Sequence, residues 1–151
     1  MNERPREQAV RDLLAAVIGL VANWNAVSTQ GSIARAVGVD IAAGDVRALY
    51  TLGLLGGAAR PTEFAEALAQ TRPTTSKLIG RLEVAGLVER SRAVGDLRAV
   101  DIVFTEQGSE AYARLVAAGA SMVDQAMTGM ATAEIDVITA AAKRLTGEFR
   151  E

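Results

Sequence analysis

The chain has no cysteine and no histidine among its 151 residues. Without cysteine there are no disulfides, no thiolate metal sites and no thiol-based redox sensing. Without histidine as well, Ser-His and Cys-His nucleophilic pairs cannot be built and zinc would have carboxylates alone. Neither a metal nor a cofactor is therefore expected, and enzyme chemistry would be confined to carboxylate, Lys, Tyr or Ser groups. Asp101 and Glu106 are explained as strand-end and helix-cap residues rather than as a catalytic pair, and the chain is not read as an enzyme. Aromatic residues are also scarce, at 4 % against 50 % apolar overall. That apolar content is mainly alanine, leucine and valine, a mixture that favours closely packed helices. The longest apolar run, Leu13 to Ala22, falls well short of the ~20 residues a bilayer crossing needs. With no basic leader or cleavage site beside that run, the sequence reads as soluble and cytoplasmic, with no membrane partner.

What is present fits a single unit of ordinary size, residues 1–151. The net charge is −2, but it is unevenly spread. Between Arg72 and Arg98 stand Arg72, Lys77, Arg81, Arg90, Arg92 and Arg98 against Glu83, Glu89 and Asp96. A basic segment on an acidic body is the footprint expected of a small nucleic-acid-binding module.

Apolar periodicity organises the chain. Val10, Leu13, Leu14, Val17, Ile18 and Val21 recur at threes and fours, predicting one long helix from Arg6 to about Ser28. Gln30 to Gly44 is softer, with a short helix around Ile33 to Val37. After Asp45, a second stripe of Val46, Leu49, Leu52 and Leu55 ends at Gly56 and Gly57. Pro61 opens a short helix carrying Phe64 and Leu68, and three residues later Thr71 caps another with Pro73 in its first turn. In the latter, Leu78, Leu82 and Ala85 form the buried face and Gly86 the stop. Two short helices so closely joined describe a helix-turn-helix. "LVERSR" and "AVDIVF" then alternate as strands around a turn at Gly95, with Val100, Ile102 and Phe104 on one side. Thr105 caps a helix running to about Gly129 and Thr132 caps the last. The fold class is therefore mainly α with a small β-hairpin: a winged helix-turn-helix at 45–105, flanked by long helices at 6–29 and 106–151.

The first turns of a recognition helix meet base edges in the major groove. Here they read "RPTTSK": Arg72, Thr74, Thr75, Ser76 and Lys77, with Arg81 one turn further on. The hydroxyls either bond to DNA or simply cap an exposed helix start. At the hairpin, Asp96 restrains Arg98, and a narrow minor groove would attract that arginine. Arg92 flanks the same turn. The bland reading is a surface ion pair that orders the turn.

The ordered set "EFAEAL", "TTSKLIGRLEVAGLVER" and "GDLRAVDIVFTEQG" resembles the MarR family of transcriptional regulators over Asp45 to Gly108, and the flanking helices resemble that family's dimerisation region. The resemblance implies that Thr74, Ser76 and Lys77 meet the major groove, that Arg98 enters the minor groove, and that Asp96 holds Arg98. Two departures stand out. Leu97 occupies a position where the family often has Arg, and Arg60-Pro61 lacks the usual Ser/Thr cap.

The family resemblance also implies a homodimer reading a pseudo-palindromic site in double-stranded DNA, as a ligand-responsive repressor. The candidate interface is Leu13, Leu14, Val17 and Val21 with Met122, Met127, Ile135, Ile138, Leu145 and Phe149; the same stripes could equally be intramolecular core. A small aromatic or phenolic effector would meet Trp24 and Tyr50, which at helical spacing can equally be core. The rival function is a winged-helix protein-interaction module without specific DNA binding.

Overall fold

Helices and strands fall where the apolar period changes from about 3.6 to 2. The computed structural model describes residues 5–92 and 100–148. In chain order these hold α1 (Arg6–Trp24), α2 (Val27–Ala36), α3 (Ala43–Leu54), β1 (Ala58–Ala59), α4 (Pro61–Ala67), α5 (Arg72–Val84), β2 (Val88–Arg92), β3 (Val100–Phe104), α6 (Glu106–Ala126) and α7 (Thr132–Glu148). The chain divides between Ala118 and Gly119 into two compact units.

The first unit carries the core. Val46, Leu49 and Leu52 of α3 are buried, as are Phe64 of α4, Leu78, Ile79 and Leu82 of α5, Ile102 of β3, and Ala111 and Leu115 of α6. The three strands form one antiparallel sheet in the order β1-β3-β2. β2 and β3 pair with Arg90 opposite Ile102 and Arg92 opposite Val100. β1 pairs with the other edge of β3, Ala59 opposite Ile102. Two residues of alanine carry no alternation, which is why the sequence gives no sign of β1.

The sharpest difference from the sequence reading is at the first helix. It ends at Trp24, not near Ser28, and a second helix begins at Val27, so the short helix expected at Ile33 to Val37 is the end of α2. No glycine or proline marks the break. Gln30 supplies its reason: its side-chain amide donates to the Trp24 carbonyl, one of the acceptors a helix end leaves open, and its backbone N–H bonds Ala26. No single described helix is long and apolar enough to cross a membrane; α1 and α2 reach that measure only together, bent by 55°.

Other boundaries follow their caps. Thr71 accepts from the Thr74 N–H as expected. Thr105 accepts from the Gly108 N–H at 2.9 Å and donates to the Gly86 carbonyl at 2.6 Å. Gly86 turns the chain with φ +72°, and a Cβ at Gly108 would lie 1.8 Å from the Leu87 carbonyl oxygen. The Thr-x-x-Gly spacing is thus a clamp between the end of α5 and the start of α6. Two expectations are corrected. Val100, placed with Ile102 and Phe104 on the side of the strand that would anchor it to the core, is instead 42 % exposed, because it lies at the far end of β3 from the core. The second unit's helix, α7, begins at Thr132, so Ala131 takes the cap position; Glu134 accepts from the Ala131 N–H at 2.8 Å.

Candidate nucleic-acid interface

One face of α5 is spent on the core. Thr75, Leu78, Ile79 and Leu82 are its buried residues, a spacing of three, one and three that leaves Arg72, Thr74, Ser76 and Lys77 exposed. Thr75 was expected among the DNA contacts, and its position corrects that. It is 1 % exposed because it lies one turn before Leu78 and Ile79 on the buried face, and its hydroxyl has no hydrogen-bond partner among the described residues. The Thr74 hydroxyl lies 2.8 Å from that of Thr71, so it is held at the helix start by the cap.

Arg72 and Ser76 line a cleft of about 180 Å³ together with Pro61 and Thr62 of α4, Ile79, and Arg90 of β2. Thr75 lines it too, with its hydroxyl buried; the guanidinium groups of Arg72 and Arg90 with the Thr62 and Ser76 hydroxyls around one open cleft favour an anion such as a phosphate oxygen. Arg90 bonds Glu83 at 3.0 Å, its side chain still half-exposed. Arg92 is exposed two residues on, on the same face of β2. The sequence reading included Arg92 and passed over Arg90. The alternation Val88, Arg90, Arg92, with Val88 buried, is the signal that places the two arginines together.

Arg81, also expected at DNA, has a partner within the chain. Its Nε donates to Asp45 Oδ2 at 2.8 Å and its Nη2 to Oδ1 at 2.6 Å. The hydrogen bond to Asp45 raises the Arg81 pKa further above its ordinary value, against a smaller opposing effect of burial. Two of its donors are thereby committed, although the side chain stays 55 % exposed.

Asp96 and Arg98, with Gly95 and Leu97, lie outside the described residues, as does Phe149. Trp24 and Tyr50 are partly buried and packed on the core. Their ring centroids are 5.7 Å apart; Tyr50 meets Tyr112 edge-on at 6.5 Å, and Tyr112 stacks on Phe104 at 5.4 Å. The Tyr50 hydroxyl donates to the Leu115 carbonyl at 2.8 Å, and burial, more than the neighbouring Tyr112, pushes its pKa up.

Within the sequence, residues 37–99 match the MarR family. The matched stretch resembles the winged helix-turn-helix of that family. Solved structures of MarR-type proteins follow the same backbone along most of its length. A MarR family protein from Bacillus stearothermophilus is 22 % identical, aligned over 98 % of this chain and 100 % of its own, with a TM-score of 0.78. The apo form of MarR from E. coli is 16 % identical over 95 % and 98 %, with a TM-score of 0.62. An organohalide-sensing transcriptional regulator, solved with 2,4-dichlorophenol bound, is 17 % identical over 98 % and 88 %, with a TM-score of 0.59. At these identities the likeness is one of fold. No curated protein sequence matches the chain. The matched stretch contains the exposed face of α5 and the arginines of β2.

Proposed function

We propose that the protein is a cytoplasmic, sequence-specific double-stranded DNA-binding transcriptional regulator, a repressor that acts as a homodimer. One observation carries the reading: α5 turns Arg72, Thr74, Ser76 and Lys77 outward in its first turns, beside Arg90 and Arg92, while its opposite face is buried. Hydroxyls and a lysine on a helix's first turns suit base edges, and arginines at its flank suit phosphates. Arg98, with Asp96 restraining it, belongs to the minor-groove contact of the same reading.

The homodimer is supported by α1, which buries none of its residues. Leu13, Leu14 and Val21 are about half-exposed, as are Met122 and Ile138. A 19-residue helix with an apolar stripe open to water is not stable alone and calls for a partner surface. Release of DNA by a small aromatic or phenolic effector, with Trp24 and Tyr50 in its wall, rests on the half-buried Trp24–Tyr50 pair and on the dichlorophenol-bound relative.

The test is a mobility shift on an operator recovered by genomic-site selection. Lys77→Ala weakens specific binding most, Arg98→Ala lowers affinity with less change in sequence choice, and affinity falls steeply with salt as counterions are released. Binding unaffected by either substitution, or independent of salt, would overturn the assignment in favour of a protein-interaction module. 2,4-Dichlorophenol added to the same assay tests effector release.

A further inference from the structure

Gly80 stands in the interior of α5, and nothing in the described fold asks for a glycine there. Its φ is not positive, unlike the +72° of Gly86. A Cβ built on it meets no atom of the described residues within 4 Å, whereas one on Gly53 or Gly108 would run into Tyr112 or Leu87. A glycine inside a helix lowers its stability relative to alanine. At Gly80 the helix is therefore weakened without a gain in packing or turn geometry.

The position of Gly80 shows where a gain can lie. It follows Ser76 by four residues and Lys77 by three, so it shares their outward face, opposite the buried Thr75, Leu78 and Leu82. Val84, four residues further along the same face, is 92 % exposed. The missing side chain thus leaves a notch on that face, bordered along the helix by Ser76, Lys77 and Val84.

The chemistry of the notch limits what fits it. The N–H and carbonyl of Gly80 are taken up in the helix ladder, so the residue offers a phosphate oxygen or a polar base edge no hydrogen bond. An apolar knob needs none. Among the groups that base pairs show in the major groove, the C5-methyl of thymine is the apolar one, and it is met by apolar contact.

We propose that Gly80 seats the methyl group of an operator thymine, with Val84 as the apolar surface beside it, and so adds a specificity-determining contact to the polar ones of Ser76 and Lys77. The seat rests on the reading of α5 as the helix that enters the major groove. The same residue that weakens α5 lets its backbone lie closer to the base pairs.

The test uses duplexes of the selected operator in which single thymines are replaced by uracil, a change that removes only the methyl group. Parent and Gly80→Ala proteins are titrated with each duplex by fluorescence anisotropy, and their thermal midpoints are measured. Parent affinity should fall about four-fold for uracil at one thymine of each half-site, the loss expected for one buried methyl-sized group. Gly80→Ala fills the notch: it should bind the thymine operator roughly four-fold or more weakly, lose the preference for thymine over uracil, and melt at a higher temperature. Gly80→Ala that binds like the parent, keeps the preference for thymine or melts lower would overturn the assignment. So would a parent indifferent to uracil at every thymine. A parent that binds no operator overturns the proposed function itself and the seat with it, which separates that failure from a failure of the seat alone.

Discussion

Asp45 on α3 and Arg81 on α5 form a two-bond pair in which the carboxylate is buried and the guanidinium half-open to water. The pair joins α5 to α3, and its two members are unequal. Arg81→Met strands a buried charge and should cost about 2–3 kcal/mol, reduced from the fully buried case because water reaches the arginine side. Asp45→Ala frees an arginine that can turn to solvent, and should cost about 1 kcal/mol. The double variant should be no less stable than Arg81→Met alone. Urea unfolding of the three variants checks this; equal costs for the two single substitutions would show that the carboxylate is not held by the pair.

Ala69, in the turn between α4 and α5, has φ +52°. Its N–H bonds the Glu66 carbonyl and that of Gln70 bonds Ala65, the closure of a helix end that normally takes glycine. A left-handed alanine is strained by about 1 kcal/mol. Ala69→Gly should therefore raise the thermal midpoint, by up to about 1 kcal/mol less the entropy glycine adds to the unfolded chain. A lowered midpoint would contradict the strain.

Thr105 and Gly108 form the clamp below the wing. Thr105→Val removes both the α6 cap and the bond to the Gly86 carbonyl and should cost about 1–2 kcal/mol. Gly108→Ala places a methyl group against the backbone of Leu87, which cannot swing aside as a side chain would, and should cost more. Calorimetry on both variants ranks them; a harmless Gly108→Ala would refute the close approach.

Tyr50 titrates above its ordinary value. A raised folded-state pKa means the neutral phenol is favoured by folding. Its contribution is complete below the unfolded value of ~10 and is lost as pH rises through the folded one. Tyr50→Phe should cost about 1 kcal/mol at pH 8 through the lost bond to Leu115, and should flatten the fall in stability above pH 10. Urea midpoints for parent and variant that decline in parallel from pH 8 to 11 would refute this origin.

Much of this was legible along the chain. The stripe of α5, the Thr71 cap, the Thr105 cap of α6 and the pairing of β2 with β3 each depend on neighbours three or four residues away, or on strict alternation. Hydrophobic period and cap chemistry report such neighbours directly. The exposed Arg72, Thr74, Ser76 and Lys77 follow from the same stripe, because a helix that buries one face must show the other. Thr75 was misassigned because its residue type suggests a polar surface, whereas its position on the stripe put it in the core.

What the sequence by itself determined was the mainly helical fold, the winged arrangement and the absence of thiol and imidazole chemistry, since these depend on local pattern and composition. Only the tertiary structure decided the rest. The elbow at Trp24 is closed by a side chain in the next helix, Asp45 meets Arg81 across 36 positions, and β1 is a strand only because β3 lies beside it. Each of these joins groups far apart in sequence, where no residue's own preference records its partner. Burial then fixes which polar atoms are satisfied and which, like Gln30 Oε1, have no partner among the described residues.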